Sequence, residues 1–181
     1  MFFYAVRRII QSTTDKGRCI VMKREMRRSD RLVTNKDTVK AVLEEAQVIH
    51  LGLADDSEIY VVPLNYGWEW KDDALMLYCH SARDGRKIDL IGNGTKVGFS
   101  MESSVSYFGD ETACLYGNRY KSIIGNGEAK LLKEETARIH ALNQIMSHYS
   151  GRDDWQFDQK MLTQVQVIAI CVNDFSCKIH E

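Results

Sequence analysis

The 181-residue chain has a single proline, Pro63, no C-x-x-C pair and almost no net charge. Each scarcity removes a class of protein. The five cysteines, Cys19, Cys79, Cys114, Cys171 and Cys177, are an odd number without paired spacing. That excludes a disulfide framework and a zinc knuckle, and points to reduced thiols in a cytoplasmic protein. With 24 Lys and Arg against 25 Asp and Glu, the net charge is −1. No global field therefore draws in nucleic acid or an anionic membrane, and neither is an expected partner. The longest apolar run, Val165 to Val172, is interrupted by Gln166 and falls far short of the ~18 residues of a membrane span, so a soluble protein is expected.

What is present is a 44% hydrophobic composition, enough for one core in a chain of this length and hence one domain, over residues 26–181. Residues 1–25 stand apart. Phe2, Phe3 and Tyr4 precede Arg7 and Arg8, the reverse of the order in a signal peptide, and no A-x-A pattern follows. This segment reads as a loosely ordered extension ahead of a natural start at Met22 or Met26.

Thr34 and Asp37 form a capping-box-like pair, and Val39, Val42, Leu43 and Ala46 recur at helical spacing, predicting a helix over about 36–46. Strands are predicted at 48–54, 58–68 and 74–80, a three-stranded antiparallel meander with polar turns. A short helix over 85–91 follows, with Asp84 as N-cap and Gly92-Asn93-Gly94 as its stop. Further strands fall at 95–102 and 119–132, the second bending at Gly125 or Gly127. A helix over 134–149, closed by Ser150-Gly151, and a last strand over 164–173 complete the pattern. Six strands with helices set apart from them imply an α+β barrel.

Two stretches carry candidate chemistry. Leu77 to Lys87 runs from a strand end to a helix start. A phosphate placed there would meet the unpaired N–H groups of the first turn, the Ser81 hydroxyl, and charge-assisted bonds from Arg86 and Lys87. The plain alternative is a solvated basic pair. The second stretch, Val61 to Gly67, places Pro63 in an apolar strand, which puts that strand at an edge or bulge. Backbone groups left free there, with Asn65 offering donor and acceptor, suit a planar heterocycle. The basic stretch Lys23, Arg24, Arg27, Arg28 and Arg31 is short and broken by acids, and reads as a solvated arm that packs on a partner subunit. His140, His148 and His180 read as surface residues.

Four segments together resemble the FMN-binding split barrels, the pyridoxamine 5′-phosphate oxidase-like superfamily, and within it the nitroimidazole-resistance branch. They are Met26-Arg27-Arg28-Ser29-Asp30-Arg31, Val61-Val62-Pro63-Leu64-Asn65-Tyr66-Gly67, Leu77 to Ile91, and Tyr120 to Gly127. The resemblance implies a six-stranded antiparallel split β-barrel with flanking helices. It places Val62, Pro63, Leu64 and Asn65 along an isoalloxazine, and His80, Ser81, Arg86 and Lys87 at the ribityl phosphate. It also implies a homodimer with the flavin at the subunit interface, and an oxidoreductase moving electrons from a donor such as NAD(P)H to a small acceptor, a nitroaromatic among them. His80 is the candidate proton-transfer residue, with a packing role as its alternative. No metal site is expected. The alternatives are a flavin or haem carrier or sensor without turnover, with haem held by His50 or His80, and a deazaflavin- or haem-processing enzyme on the same fold; His50 otherwise reads as a core-facing or interface histidine. The segment from Val172 to Glu181 lacks the arginine-rich motif of true pyridoxamine phosphate oxidases, so oxidation of vitamin B6 is not expected.

Overall fold

A computed structural model of the chain describes residues 26–71 and 73–181. The expected extension over 1–25, with Lys23 and Arg24 of the basic stretch, lies outside the described residues. Among those residues the elements run β1 (Leu32–Val33), α1 (Lys36–Glu45), β2 (Ile49–Asp55), β3 (Glu58–Leu64), β4 (Tyr66–Lys71), β5 (Ala74–Ala82), α2 (Arg86–Ile91), β6 (Thr95–Phe108), β7 (Gly117–Leu131), α3 (Glu135–Ser150), α4 (Gln159–Leu162) and β8 (Val165–His180). All strand pairs are antiparallel, in the order β3-β2-β6-β7-β8-β5-β4, with β1 joined to β8.

The expected six strands become eight. One addition is β1. The other arises because the strand expected over 58–68 breaks at Asn65, and its two halves lie at opposite ends of the sheet path. The expected meander is therefore two hairpins, β2–β3 and β4–β5, joined by one residue. The cause of the break is local. Beyond Asn65, the Tyr66 hydroxyl donates to the Leu43 carbonyl at 2.6 Å, and the Tyr66 N–H donates to the Tyr149 hydroxyl at 3.1 Å. A backbone donor spent on α3 and a phenol buried beneath α1 turn the chain off its first line.

Helix α1 starts one residue later than Thr34 would set. Asn35 is the N-cap, its Oδ1 accepting the Thr38 N–H at 2.9 Å. Asp84 likewise does not cap α2, whose N-cap is Gly85 at φ +131°, with no side-chain hydrogen bond to the first turn. Strand β8 runs on to His180 rather than ending at 173, because β7 supplies a partner as far as Tyr120. The bend expected near Gly125 and Gly127 coincides with a register shift between Asn126 and Gly127, where Asn173 of β8 is left over. A Cβ on Gly127 would lie 2.4 Å from the Cys171 carbonyl oxygen, so the two strands approach there only without a side chain.

The core has two parts. Inside the curled sheet lie Leu51, Leu53, Tyr66, Leu77, Met101, Ile123, Ile168 and Ile170 with Leu43 from α1, all almost wholly buried. On the other side of β5, Tyr78, Val167 and Ala169 pack against Ala141, Leu142 and Ile145 of α3 and Leu162 of α4. Strand β5 thus has apolar neighbours on both faces.

Candidate functional site

The Val61 to Gly67 stretch spans the two ends of the sheet path, β3 and β4, whereas Leu77 to Ala82 lies on β5, next to the β4 end. Among the described residues strand β3 pairs only with β2, with Pro63 opposite His50 and Val62 opposite Leu51. As an edge strand it leaves one row of backbone groups without a strand partner, and it tolerates a proline for the same reason. Val62 and Leu64 lean on the core, while Pro63 and Asn65 are exposed.

The end of β5 leads into α2. Alternation along β5 sends Leu77, Cys79 and Ser81 into the sheet interior, and Met76, Tyr78 and His80 toward α3. His80 and Ser81 therefore sit on opposite faces, and the structure does not bring their side chains to one ligand. The His80 imidazole lines a cavity with Leu142 and Met146, and burial lowers its pKa. Ser81 is only 8% exposed, and its Oγ is buried without a hydrogen-bond partner.

Arg86 and Lys87 differ in their surroundings. The Arg86 guanidinium donates to Glu58 Oε2 at 2.7 Å and Asp55 Oδ2 at 2.6 Å, and it lies 4.9 Å from the Tyr60 ring centre. These carboxylates, Glu58 foremost, raise its pKa. Both belong to the β2–β3 turn, so Arg86 ties α2 to that hairpin. Lys87 is half-buried and has no polar partner among the described residues. Because α2 has only six residues, its dipole is small, and Ser81 and Lys87 are the groups that fit an anion best. An orphaned buried hydroxyl costs about 1–3 kcal/mol, which an acceptor reaching it would remove. The residues present thus fit a phosphate at this corner, with Arg86 already engaged by two carboxylates.

His50 lies on the outer face, 3.8 Å from Glu102 Oε1, rather than in an apolar pocket. Cys79 is fully buried and its thiol is pushed up to about 12 by burial, which leaves it inert. Of the histidines expected at the surface, His140 is exposed and pairs with Glu69 at 2.9 Å. The other two are only partly exposed: His148 bonds the Ala46 carbonyl at 2.9 Å, and His180 bonds Arg31 at 2.9 Å and the Asn118 carbonyl at 2.6 Å. In the expected basic arm, Arg28 is paired with Asp30 at 2.6 Å.

Sequence reasoning missed two groupings. One is the pair Asp55 and Glu58 around Arg86, which no spacing signals because the partners come from a distant turn. The other is the cluster of Glu69, Tyr78 and His140. There burial would raise the Glu69 carboxyl, but hydrogen bonds from Tyr78 at 2.5 Å and from His140 outweigh it and hold the carboxyl below its usual value.

An open antiparallel sheet curled round its core, broken at Asn65 and with the short helix α2 following β5, has the layout of a split barrel. The profile of the family described as pyridoxamine 5′-phosphate oxidase matches residues 35–179, and the chain belongs to that family. A comparison with curated proteins finds no match. Among solved structures, a proposed 5-nitroimidazole antibiotic resistance protein from Bacteroides thetaiotaomicron is 25% identical, with a TM-score of 0.68 over 82% of this chain and 86% of that one. The flavocytochrome Anf3 from Azotobacter vinelandii is 17% identical, with a TM-score of 0.70 over 87% and 72% of the two chains. A FAD and heme binding protein from Mycobacterium smegmatis is 15% identical, with a TM-score of 0.71 over 83% and 74%. The last two likenesses are of fold.

Proposed function

We propose that the protein is an FMN-dependent oxidoreductase acting on small acceptors. The observation that carries this reading is the Ser81 hydroxyl, buried and unpartnered in a family built to hold flavin, with Lys87, six residues further along the chain, unpaired among the described residues. Lys87 and Ser81 hold the phosphate, and Arg86 shares its charge between that phosphate and its own carboxylates. The free edge of β3, from Val62 to Asn65, offers main-chain groups and the Asn65 amide to the isoalloxazine. Bound FMN supplies the redox chemistry, taking reducing equivalents from a donor such as NAD(P)H and passing them on. Nitroaromatics are the acceptor class to assay first, given the 25% identical Bacteroides structure.

Flavin fluorescence quenching tests the binding. Lys87→Ala weakens FMN by about 1.5–3 kcal/mol, roughly tenfold to hundredfold in Kd, while Arg86→Ala costs less because its charge is already neutralised. Unchanged affinity in the Arg86→Ala, Lys87→Ala double variant overturns the phosphate corner. Anaerobic mixing with NADH or NADPH tests the chemistry separately. Bleaching of the flavin band supports an enzyme, and persistent colour with both donors overturns turnover by this route.

A further inference from the structure

The reverse face of β5 holds a cavity that the flavin reading leaves unused. It has a volume of about 200 Å³ and is lined by His80, Leu142, Ile145, Met146, Phe157, Met161, Leu162 and Val165. Its floor is Leu142, Ile145 and Leu162, all buried, whereas His80 and Met161 (63% exposed) stand at its mouth. One polar group at the rim of an apolar floor is the layout of a small-molecule pocket.

The walls are fixed by hydrogen bonds rather than by the pocket's own packing. The Asn143 side chain on α3 donates to the Trp155 carbonyl at 3.3 Å and accepts the Trp155 N–H at 3.0 Å, which holds the segment leading to Phe157. Arg138, five residues earlier, donates to the Leu162 carbonyl and, at 3.0 Å, to that of Val165, which holds α4 and the start of β8. Asp158 Oδ1 accepts the Met161 N–H at 3.1 Å and so starts α4. Two polar residues of one helix thus hold the strap and α4 at the far side of the cavity, and the space between stays open.

We infer that this cavity binds a small, uncharged, single-ring aromatic molecule carrying one hydrogen-bonding substituent, with the His80 imidazole as its polar anchor. Size supports this, because an apolar cavity of about 150 Å³ admits benzene, and the further volume here accommodates one substituent. Chemistry supports it as well. Phe157 presents a ring, and Met146 and Met161 present polarizable sulfur atoms that favour aromatic partners. Partial desolvation lowers the His80 pKa, which favours the neutral imidazole that exchanges a hydrogen bond. The site stands independently of the flavin assignment, since it lies on the face of β5 opposite Ser81.

Phenol is the probe and toluene its control, titrated into the full chain while NMR follows the methyl groups of Met146 and Met161 and the imidazole of His80. The expected result is saturable shifts at all three with phenol, and weaker binding of toluene. His80→Leu then removes phenol's advantage, about a three- to tenfold loss, without weakening toluene. Met146→Trp fills the cavity and abolishes both, with circular dichroism confirming that the variant is folded. Two results overturn the proposal: no saturable shift at the two methionines with either probe, or binding undiminished in folded Met146→Trp. A phenol affinity unchanged by His80→Leu overturns the role of His80.

Discussion

Gly67 is the residue at which α3 comes nearest to the sheet. A Cβ there would fall 2.3 Å from the Gln144 carbonyl carbon and 2.4 Å from the Ile145 nitrogen, distances at which something has to move. Both obstacles are helix backbone, which cannot rotate aside as a side chain would. Gly67→Ala is therefore expected to destabilise the fold by roughly 2–3 kcal/mol, the upper end of the usual range for overpacking. Urea unfolding followed by tryptophan fluorescence measures it, and a variant as stable as the parent would mean that α3 slides freely over β4. On the opposite face of β4, Tyr66 is wholly buried beneath α1, while Asn65, one residue earlier, is exposed. At the phosphate corner, neighbouring residues diverge in the same way. The pair Arg86 and Lys87 was visible in the sequence as two adjacent cations, but only one of them has its charge free.

The elements themselves were largely legible, because each has a local cause. The apolar spacing of α1, the left-handed Gly151 that ends α3 at φ +69°, and the polar turns of both hairpins are short-range signals. What was not legible came from contacts distant in sequence. Strand 58–68 broke because Tyr149, 83 residues from Tyr66, took a backbone donor. His80 and Ser81 separated because α3 and α4 gave β5 a second buried face. Helix α3 is fastened to the loop after α1 by His148, whose Nε2 donates to the Ala46 carbonyl while its Nδ1 is buried without a partner. Desolvation holds the His148 pKa below the ordinary value, outweighing the Ala46 bond and the charge of Glu44. The unfolded chain then takes up a proton first as the pH falls through the usual histidine range near 6.5. Stability accordingly declines on acidification from about pH 7 and levels off below the folded-state pKa. His148→Gln keeps a donor for Ala46 and removes this titration, leaving His80, shifted the same way by burial, to contribute the rest. Urea midpoints between pH 7.5 and 5.5 are expected to slope less in the variant. Equal slopes would show that Nδ1 accepts its proton without penalty.

For the whole molecule, the outer face of the sheet sets the remaining question. Across β3, β2, β6 and β7, one register row reads Pro63, His50, Ser100 and Ile124, and the next reads Val61, Gly52, Gly98 and Asn126. Paired glycines leave the middle of this face flat, and Ile59 (72% exposed), Val61 (56%) and Ile124 (52%) give it apolar area that water does not favour. The face runs up to the free edge of β3 on which the flavin reading depends. A second copy of the chain laid on it would bury the aliphatic side chains and seal that edge, so assembly and cofactor retention become one equilibrium. A charge in the middle separates the two outcomes. Val61→Glu places an exposed carboxylate where no intrachain packing is lost, so the monomer keeps its thermal stability. It is expected to sediment as a monomer and to release FMN at micromolar protein, whereas the parent sediments as a dimer with flavin absorbance travelling in the same boundary. If the parent carries flavin as a monomer, or Val61→Glu remains a flavin-loaded dimer, the cofactor is held within one chain and this face serves another partner.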